Sequence, residues 1–419
     1  MEIITDRSGD LAQKGYTGQG IDIALVDSGV SPVRGLDMPG KIVYGPDLSN
    51  EGGQPNLANL DTFGHGTHLA GIIAGNDGNE VGGVATGGRI VSVKVAGVTG
   101  ATDVAQIVAG IDWVVEHKND NGLNIRVLNL SLGMPGVVSS VGDPLSAAVE
   151  RAWRAGIVVV AAAGNRGNNS NGVDSPAISP YVIAVGATDS YNTDGKKDEI
   201  SPWSSGGSGV RSPDVVAPGR SIMSFRVPGS MLDQAYPAAR VGDTYFLGSG
   251  TSQAAAAVSG FVAMVLSKQG DLTPDQVKYL FMDGAKKVKS GSDRTMGRGR
   301  IDPKDAASHT KDAGKAPLQN FPAALPGATG TTWTGGGWNG ASWSGGTWSG
   351  ASWSGTSWSG ASWSGGVWSG ASWSSASWSG ASWSGASWSG ASWSGASWSG
   401  ASWAGASWAG AAWLGADWS

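Results

Sequence analysis

Residues 1–312 predict an α/β fold, a three-layer sandwich around a mostly parallel sheet, followed by a low-complexity repeat tail. Three observations predict it. Apolar runs of six or seven residues alternate with helical stretches as far as residue 186, the pattern of βαβ units whose sheet is covered on both faces. The body is long enough for one large core, and with no cysteine it has no disulfides to lean on. Composition then breaks sharply: beyond Lys315 the only charged residue is Asp417.

The elements follow in order. Ile21 to Val26, ending at Asp27, is a largely apolar run with β-branched members and reads as a buried strand of a parallel sheet. His65 to Gly75 reads as a helix opened by Gly-His-Gly-Thr-His. Arg89 to Val95 is a second strand. Asp103 to His117 is an amphipathic helix with Val104, Ile107, Val108, Ile111, Val114 and Val115 on one face. Ile125 to Leu130, Ile157 to Ala163 and Pro180 to Gly186 read as strands, and Pro144 to Ala155 as a helix. Asp198 to Tyr245 is irregular and rich in Gly, Pro and Ser. A helix is expected from Thr251 to Lys268. Another is expected from Thr273, an N-cap followed by Pro274, to Met282.

Composition narrows the function. A net charge of −5 gives no footprint for nucleic acid. No apolar run has the length of a transmembrane span. A thiol nucleophile and thiolate metal sites are excluded. The N-terminus lacks a basic segment followed by an apolar one, so it does not read as a signal peptide.

Three stretches carry the chemistry. They are I-D-I-A-L-V-D-S-G-V around Asp27, D-T-F-G-H-G-T-H-L-A-G around His65 and G-S-G-T-S-Q-A-A-A-A-V-S-G around Ser252. A serine hydroxyl is too weak an acid to attack unaided and needs a base beside it. His65 supplies that base, and Asp27 would fix its tautomer and stabilise its cation. Each residue also has a plainer reading. Ser252 could simply N-cap a helix, and Asp27 could close a strand turn with Ser28 and Gly29. Matching flanks at all three sites favour the shared chemistry. His65 and His68 do not form a zincin pair, because the spacing is three and the required Glu is missing. An α/β-hydrolase esterase would need G-x-S-x-G and the order Ser, acid, His, and Ser252 shows neither.

With these motifs in this order, roughly residues 18 to 305 resemble the subtilisin family of serine endopeptidases (subtilases). The segment from Pro213 to Gly250 looks most similar to the AprX-like bacterial branch. The resemblance implies a catalytic set of Asp27, His65, Ser252 and Asn165. Asn165 closes A-A-A-G-N and would donate to the oxyanion beside the Ser252 N–H. It also implies substrate contacts at Ser131, Leu132 and Gly133 on one side and at Ala161, Ala162, Ala163 and Gly164 on the other. Asp174 falls near the pocket floor, where a carboxylate would favour a basic residue before the scissile bond unless it pairs with Arg166 at the mouth. Gln253 and Ala256 stand where relatives usually carry Met and Pro, which bears on the helix start and not on the proton path.

No metal and no cofactor are required by this chemistry. Relatives often bind a structural calcium where this chain has the shorter loop Gly75 to Glu80, G-N-D-G-N-E, whose oxygens are compatible with one. The partners implied are polypeptide substrates, acted on by a monomer. Relatives carry a signal and a pro-segment, so an extracellular protein trimmed of both is expected, with a cytoplasmic one as the alternative.

A linker is expected at 313–331 and the tail at 332–419. Eighteen of the 21 tryptophans recur every five residues from Trp333 to Trp418, with the consensus A-S-W-S-G. Three readings are open: a flexible tail with aromatic beads, a solenoid turning a corner every five residues, or a tail binding glycan, envelope or membrane surfaces through its indoles. A protein whose binding tail does the work, with an incidental enzyme fold, is the rival function.

Overall fold

The computed structural model describes residues 8–316 apart from 79–81, 138, 190–197 and 208–210, together with the backbone of short strands between residues 332 and 418. The chain divides into two compact units, Met1–Leu318 and Gln319–Ser419.

The strands of the first unit's main sheet are β1 (Asp22–Asp27), β2 (Ile42–Asp47), β3 (Arg89–Lys94), β4 (Ile125–Leu130), β5 (Val158–Ala162), β6 (Ile183–Asp189), β7 (Glu199–Ile200) and β8 (Val215–Pro218). Their order is β2-β3-β1-β4-β5-β6, with β7 and β8 both joined to β6. Every pairing is parallel except β6 with β7. β1 is buried at every position, as its apolar run requires. From β1 the chain crosses to the edge strand β2, returns to β3 beside β1, and then builds the other side through β4, β5 and β6. The order therefore reverses beside β1, and in such sheets the ligand crevice lies at the carboxyl ends of the strands at that point, here β1 and β4.

The helices include α1 (Ser8–Gln13), α2 (His65–Ala74), α3 (Val104–Glu116), α4 (Pro144–Arg154), α5 (Met231–Ala235), α6 (Thr251–Leu266) and α7 (Pro274–Asp283). α3 and α4 pack on each other and on β1 and β5, while α2 and α6 pack together against the sheet. Caps set the starts. Asp103 and Gln106 form a capping box on α3, and Thr273 with Gln276 does the same on α7. α6 is buried along its whole length. Its small residues allow close approach: a Cβ on Gly260 would lie 2.6 Å from Val84 Cβ. Among the described residues no helix is long and apolar enough to cross a membrane.

Three differences from the sequence reading have clear causes. The half-exposed edge strand β2 carries a weak periodic signal. The irregular stretch after residue 198 holds a second, three-stranded antiparallel sheet: β9 (Ile222–Phe225), β10 (Arg240–Val241) and β11 (Tyr245–Gly248). Its order is β10-β11-β9, set by contacts distant in sequence. The strand expected from Pro180 begins only at Ile183.

In the second unit, three-residue strands recur every five residues, from Thr332–Thr334 onward. Each pairs in parallel with the strand 20 residues ahead, so Trp333 is in register with Trp353 and Trp353 with Trp373. One coil thus takes four strands, and the strands stack into four separate parallel sheets. Residues 317–331, which include most of the expected linker, lie outside the described residues.

Candidate active site

Asp27 is the last residue of β1, and His65 is the first of α2. α2 starts there because Gly64, at φ 102°, takes a left-handed conformation that L side chains rarely adopt. Gly66 must also be glycine-sized, since a Cβ there would lie 2.2 Å from Gly29 O. The result brings His65 Nδ1 to 2.8 Å from Asp27 Oδ1. The same oxygen accepts the Ser28 N–H at 2.8 Å. Burial disfavours the imidazolium, but the charge and hydrogen bond of Asp27 and the charge of Asp61 outweigh it. The ring therefore titrates above its ordinary value.

Ser252 occupies the second position of α6. The N-cap is Gly250, so the plain N-cap reading of Ser252 does not hold. Its hydroxyl donates to Ser131 O at 3.1 Å, and Ser131 Oγ donates back to Ser252 O at 3.1 Å. Ser131 follows β4 directly, which ties the start of α6 to the carboxyl end of the sheet. Among the described residues the Ser252 hydroxyl is bonded to Ser131 and not to the His65 ring. Uncomplexed sites often hold such bonds in a looser arrangement than the reacting complex.

Asn165 lies beyond β5 and faces the same helix start. Its Oδ1 accepts the Thr251 N–H at 3.0 Å and the Thr251 hydroxyl at 3.1 Å. The side-chain oxygen is thus committed to α6, leaving Nδ2 as the donor. The Ser252 N–H belongs to the first helical turn, whose N–H groups lack intrahelical acceptors and gather positive potential.

His68 is not part of this set. It is buried, its Nε2 bonds Phe246 O at 3.1 Å, and burial lowers its pKa to about 4. It is a packed, neutral helix residue. Among the described residues no group of His, Asp and Glu could hold a metal ion. In the described part of the Gly75–Glu80 loop, Asn76 Oδ1 accepts the Gly78 N–H and Asp77 pairs with Tyr245.

The expected substrate contacts divide. Leu132 and Gly133 lie beyond β4 with no backbone hydrogen bond among the described residues, whereas Met134 bridges to Ser175. Ala161 and Ala162 belong to β5 and are buried; Ala163, just beyond, is buried too. Gly164 is partly open and its N–H donates to Thr251 Oγ1. Asp174 lies between the two segments. A Cβ on Gly164 would meet Asp174 Oδ2 at 2.1 Å, and one on Gly133 would meet Asp174 Cβ at 3.3 Å. Its carboxylate is not bare: Arg166 Nε stands 2.6 Å from Asp174 Oδ1, and Arg166 Nη2 donates to Gly172 O. Burial pushes the Asp174 carboxyl up, and Arg166 opposes this only in part.

Sequence reasoning passed over Asp61, although it stands four residues before His65. It is buried at 1% exposure. An acid just ahead of a glycine-led helix start was the available signal.

Residues 18–299 match the Subtilase family, peptidase S8. Serine protease AprX of Bacillus subtilis is 38% identical over 295 residues, 68% of this chain; the chain spans 65% of that relative's length. A subtilisin of Bacillus pumilus is 35% identical over 305 residues, 71% of this chain and 94% of the relative. Among solved structures, fervidolysin of Fervidobacterium pennivorans, a keratinolytic enzyme related to subtilisin, superposes with a TM-score of 0.57. It is 28% identical, with 74% of this chain and 45% of that one covered. On the family match and these identities, the chain belongs to the subtilase family.

Proposed function

We propose that the chain is a serine endopeptidase that hydrolyses internal peptide bonds through an acyl-enzyme on Ser252. The observation that carries this is the 2.8 Å Asp27–His65 pair at the crevice where α6 presents Ser252. The Ser252 hydroxyl turns about its side-chain bond from Ser131 O towards His65. His65 Nε2 takes its proton as Oγ adds to the substrate carbonyl carbon. Asp27 holds Nδ1–H and stabilises the imidazolium. Asn165 Nδ2–H and the Ser252 N–H donate to the developing oxyanion. His65 then protonates the leaving amine. Water, activated by the same ring, releases the acyl group and restores Ser252. Every proton is moved by a side chain of this chain, so the chemistry needs no cofactor.

Substrate backbone would add alongside Ser131, Leu132 and Gly133, and the backbone groups of Leu132 and Gly133, unpaired among the described residues, suit strand addition. The residue before the scissile bond would enter between Gly133 and Gly164, with Ala161, Ala162 and Ala163 backing that wall. Because Arg166 already pairs with Asp174, this pocket offers a neutralised carboxylate, and the basic preference is weak. For the repeat, we infer binding to a glycan or envelope surface. Support comes from its composition: a tryptophan every fifth residue among serine hydroxyls, with almost no charge.

Labelling with a fluorophosphonate tests the chemistry: the wild type should be modified at Ser252 and cleave internally quenched peptides, and Ser252→Ala should do neither. Co-sedimentation of the full-length Ser252→Ala variant with insoluble polysaccharide tests the tail. A wild type that is neither labelled nor proteolytic, yet sediments, would favour the rival surface-binding protein.

A further inference from the structure

Resting on the protease reading above, we propose that Asp61 is a positioning residue for His65, so that two buried carboxylates, not one, govern the base. Asp61 Oδ1 accepts the Gly64 N–H at 2.7 Å and the Ser28 hydroxyl at 2.8 Å. Its Oδ2 accepts the Thr67 N–H at 2.7 Å. Its own N–H donates to Ser31 Oγ at 3.0 Å. Asp61 thereby takes up two backbone donors that flank His65, one just before α2 and one in its first turn, and so fixes the direction from which the ring leaves the helix. Gly64, Ser28 and Thr67 all donate to the carboxylate, a set the ionised form suits and an amide does not. Burial outweighs these donors, so the Asp61 carboxyl titrates above its ordinary value.

The second link is Ser28. Its Oγ accepts the Gly66 N–H at 3.0 Å and has one proton to give. Asp61 Oδ1 is 2.8 Å away and Asp27 Oδ1 is 3.2 Å away. While ionised Asp61 takes that proton, Asp27 Oδ1 keeps only the Ser28 N–H and His65 as close donors, and its demand on the imidazolium is undiluted. Asp61 also contributes its own charge in favour of that cation.

The ionisable groups around His65, among the described residues, are few. Asp27 faces it from β1, Asp61 from the segment before α2, and His68, neutral above pH 4 or so, from α2 itself. On β3, Lys94 is fully buried. It bonds Glu51 at 2.6 Å and Leu60 O at 2.6 Å, holding the residue next to Asp61 while its charge is matched by Glu51. The first turn of α6 carries no charge.

The test compares Asp61→Asn, Asp61→Glu and Ser28→Ala with wild type, using two readouts. One is kcat and KM against pH, normalised to sites labelled by fluorophosphonate. The other is the His65 imidazole titration followed by NMR. Asp61→Asn should lower kcat roughly tenfold with KM little changed. It should also move both the acid limb and the His65 midpoint down by about half a unit to one unit. Asp61→Glu, which keeps the charge, should hold the midpoint near wild type while losing kcat. Ser28→Ala takes the acceptor from the Gly66 N–H and breaks the hydroxyl link between Asp61 and the first turn of α2. It should lose kcat several-fold with an unmoved midpoint, and this variant carries the test if Asp61→Asn does not fold. A wild-type midpoint in folded Asp61→Asn, or wild-type kcat per site in Ser28→Ala, overturns the proposal. A wild type that is not labelled at Ser252 overturns the protease reading instead, and the NMR titration still decides the role of Asp61.

Discussion

The two sides of the crevice are built on different principles. On the His65 side, Asp27 Oδ1, Ser28, Asp61 and Thr67 sit within a set of hydrogen bonds anchored largely on backbone N–H groups, while Asp27 Oδ2 is buried without a hydrogen-bond partner among the described residues. On the Asp174 side, polarity rests on one ion pair whose Arg166 member is about one-third exposed. The first side admits almost no substitution without an orphaned partner. The second can change its charge by altering one side chain on the rim. Chemistry is therefore fixed where the backbone supplies the partners, and selectivity can vary where side chains supply them.

The largest effect should come from the fixed side. Ser252→Ala should cut kcat by roughly four to six orders of magnitude with the fold intact, read by peptide hydrolysis and circular dichroism. An activity loss of less than tenfold would remove Ser252 from the mechanism. Next, Asn165→Ala should cost roughly a hundred- to a thousandfold in kcat with KM nearly constant. Because Asn165 Oδ1 also holds the Thr251 N–H, a modest fall in melting temperature should accompany it.

On the adjustable side, Arg166→Ala should uncover the Asp174 carboxylate and raise cleavage after Lys and Arg roughly tenfold over Leu in a peptide library. An unchanged library profile would mean that Asp174 does not face the substrate. The smallest effect concerns pH and lies just behind the fixed side. His68 titrates at about 4 when folded and at 6.5 when not, because burial disfavours its cation. A base depressed in this way contributes stability that is complete above pH 6.5 and is lost as pH falls to about 4. His68→Gln should flatten the fall in melting temperature across that window. An unaltered slope would assign the acid sensitivity elsewhere.

Much of the fixed side was legible in the chain because its signals are local. A largely apolar run ending in Asp27 marks a buried strand with an acid at its carboxyl end. Gly-His-Gly-Thr-His and Gly-Thr-Ser-Gln mark two helix starts. What escaped depends on pairs distant in sequence. The hydroxyl of Ser28 meets Asp61 across 33 residues. The three-stranded sheet forms only when Phe225 meets Tyr245. The Arg166–Asp174 pair sits between these cases: eight residues apart, it could be named as one of two outcomes, and only three-dimensional placement chose between them. β2, with no fully buried position, gave periodicity nothing to register.

The 20-residue register of the second unit has a consequence for how such a protein can change length. Duplication or loss of four pentapeptides restores the register of every strand, so each sheet gains or loses one strand at a spacing of about 4.8 Å. Gain or loss of one pentapeptide hands each later strand to the next of the four sheets. Since all four sheets bear the same motif, the structure absorbs either event. A repeat of near-identical pentapeptides would thus yield a graded series of folded lengths.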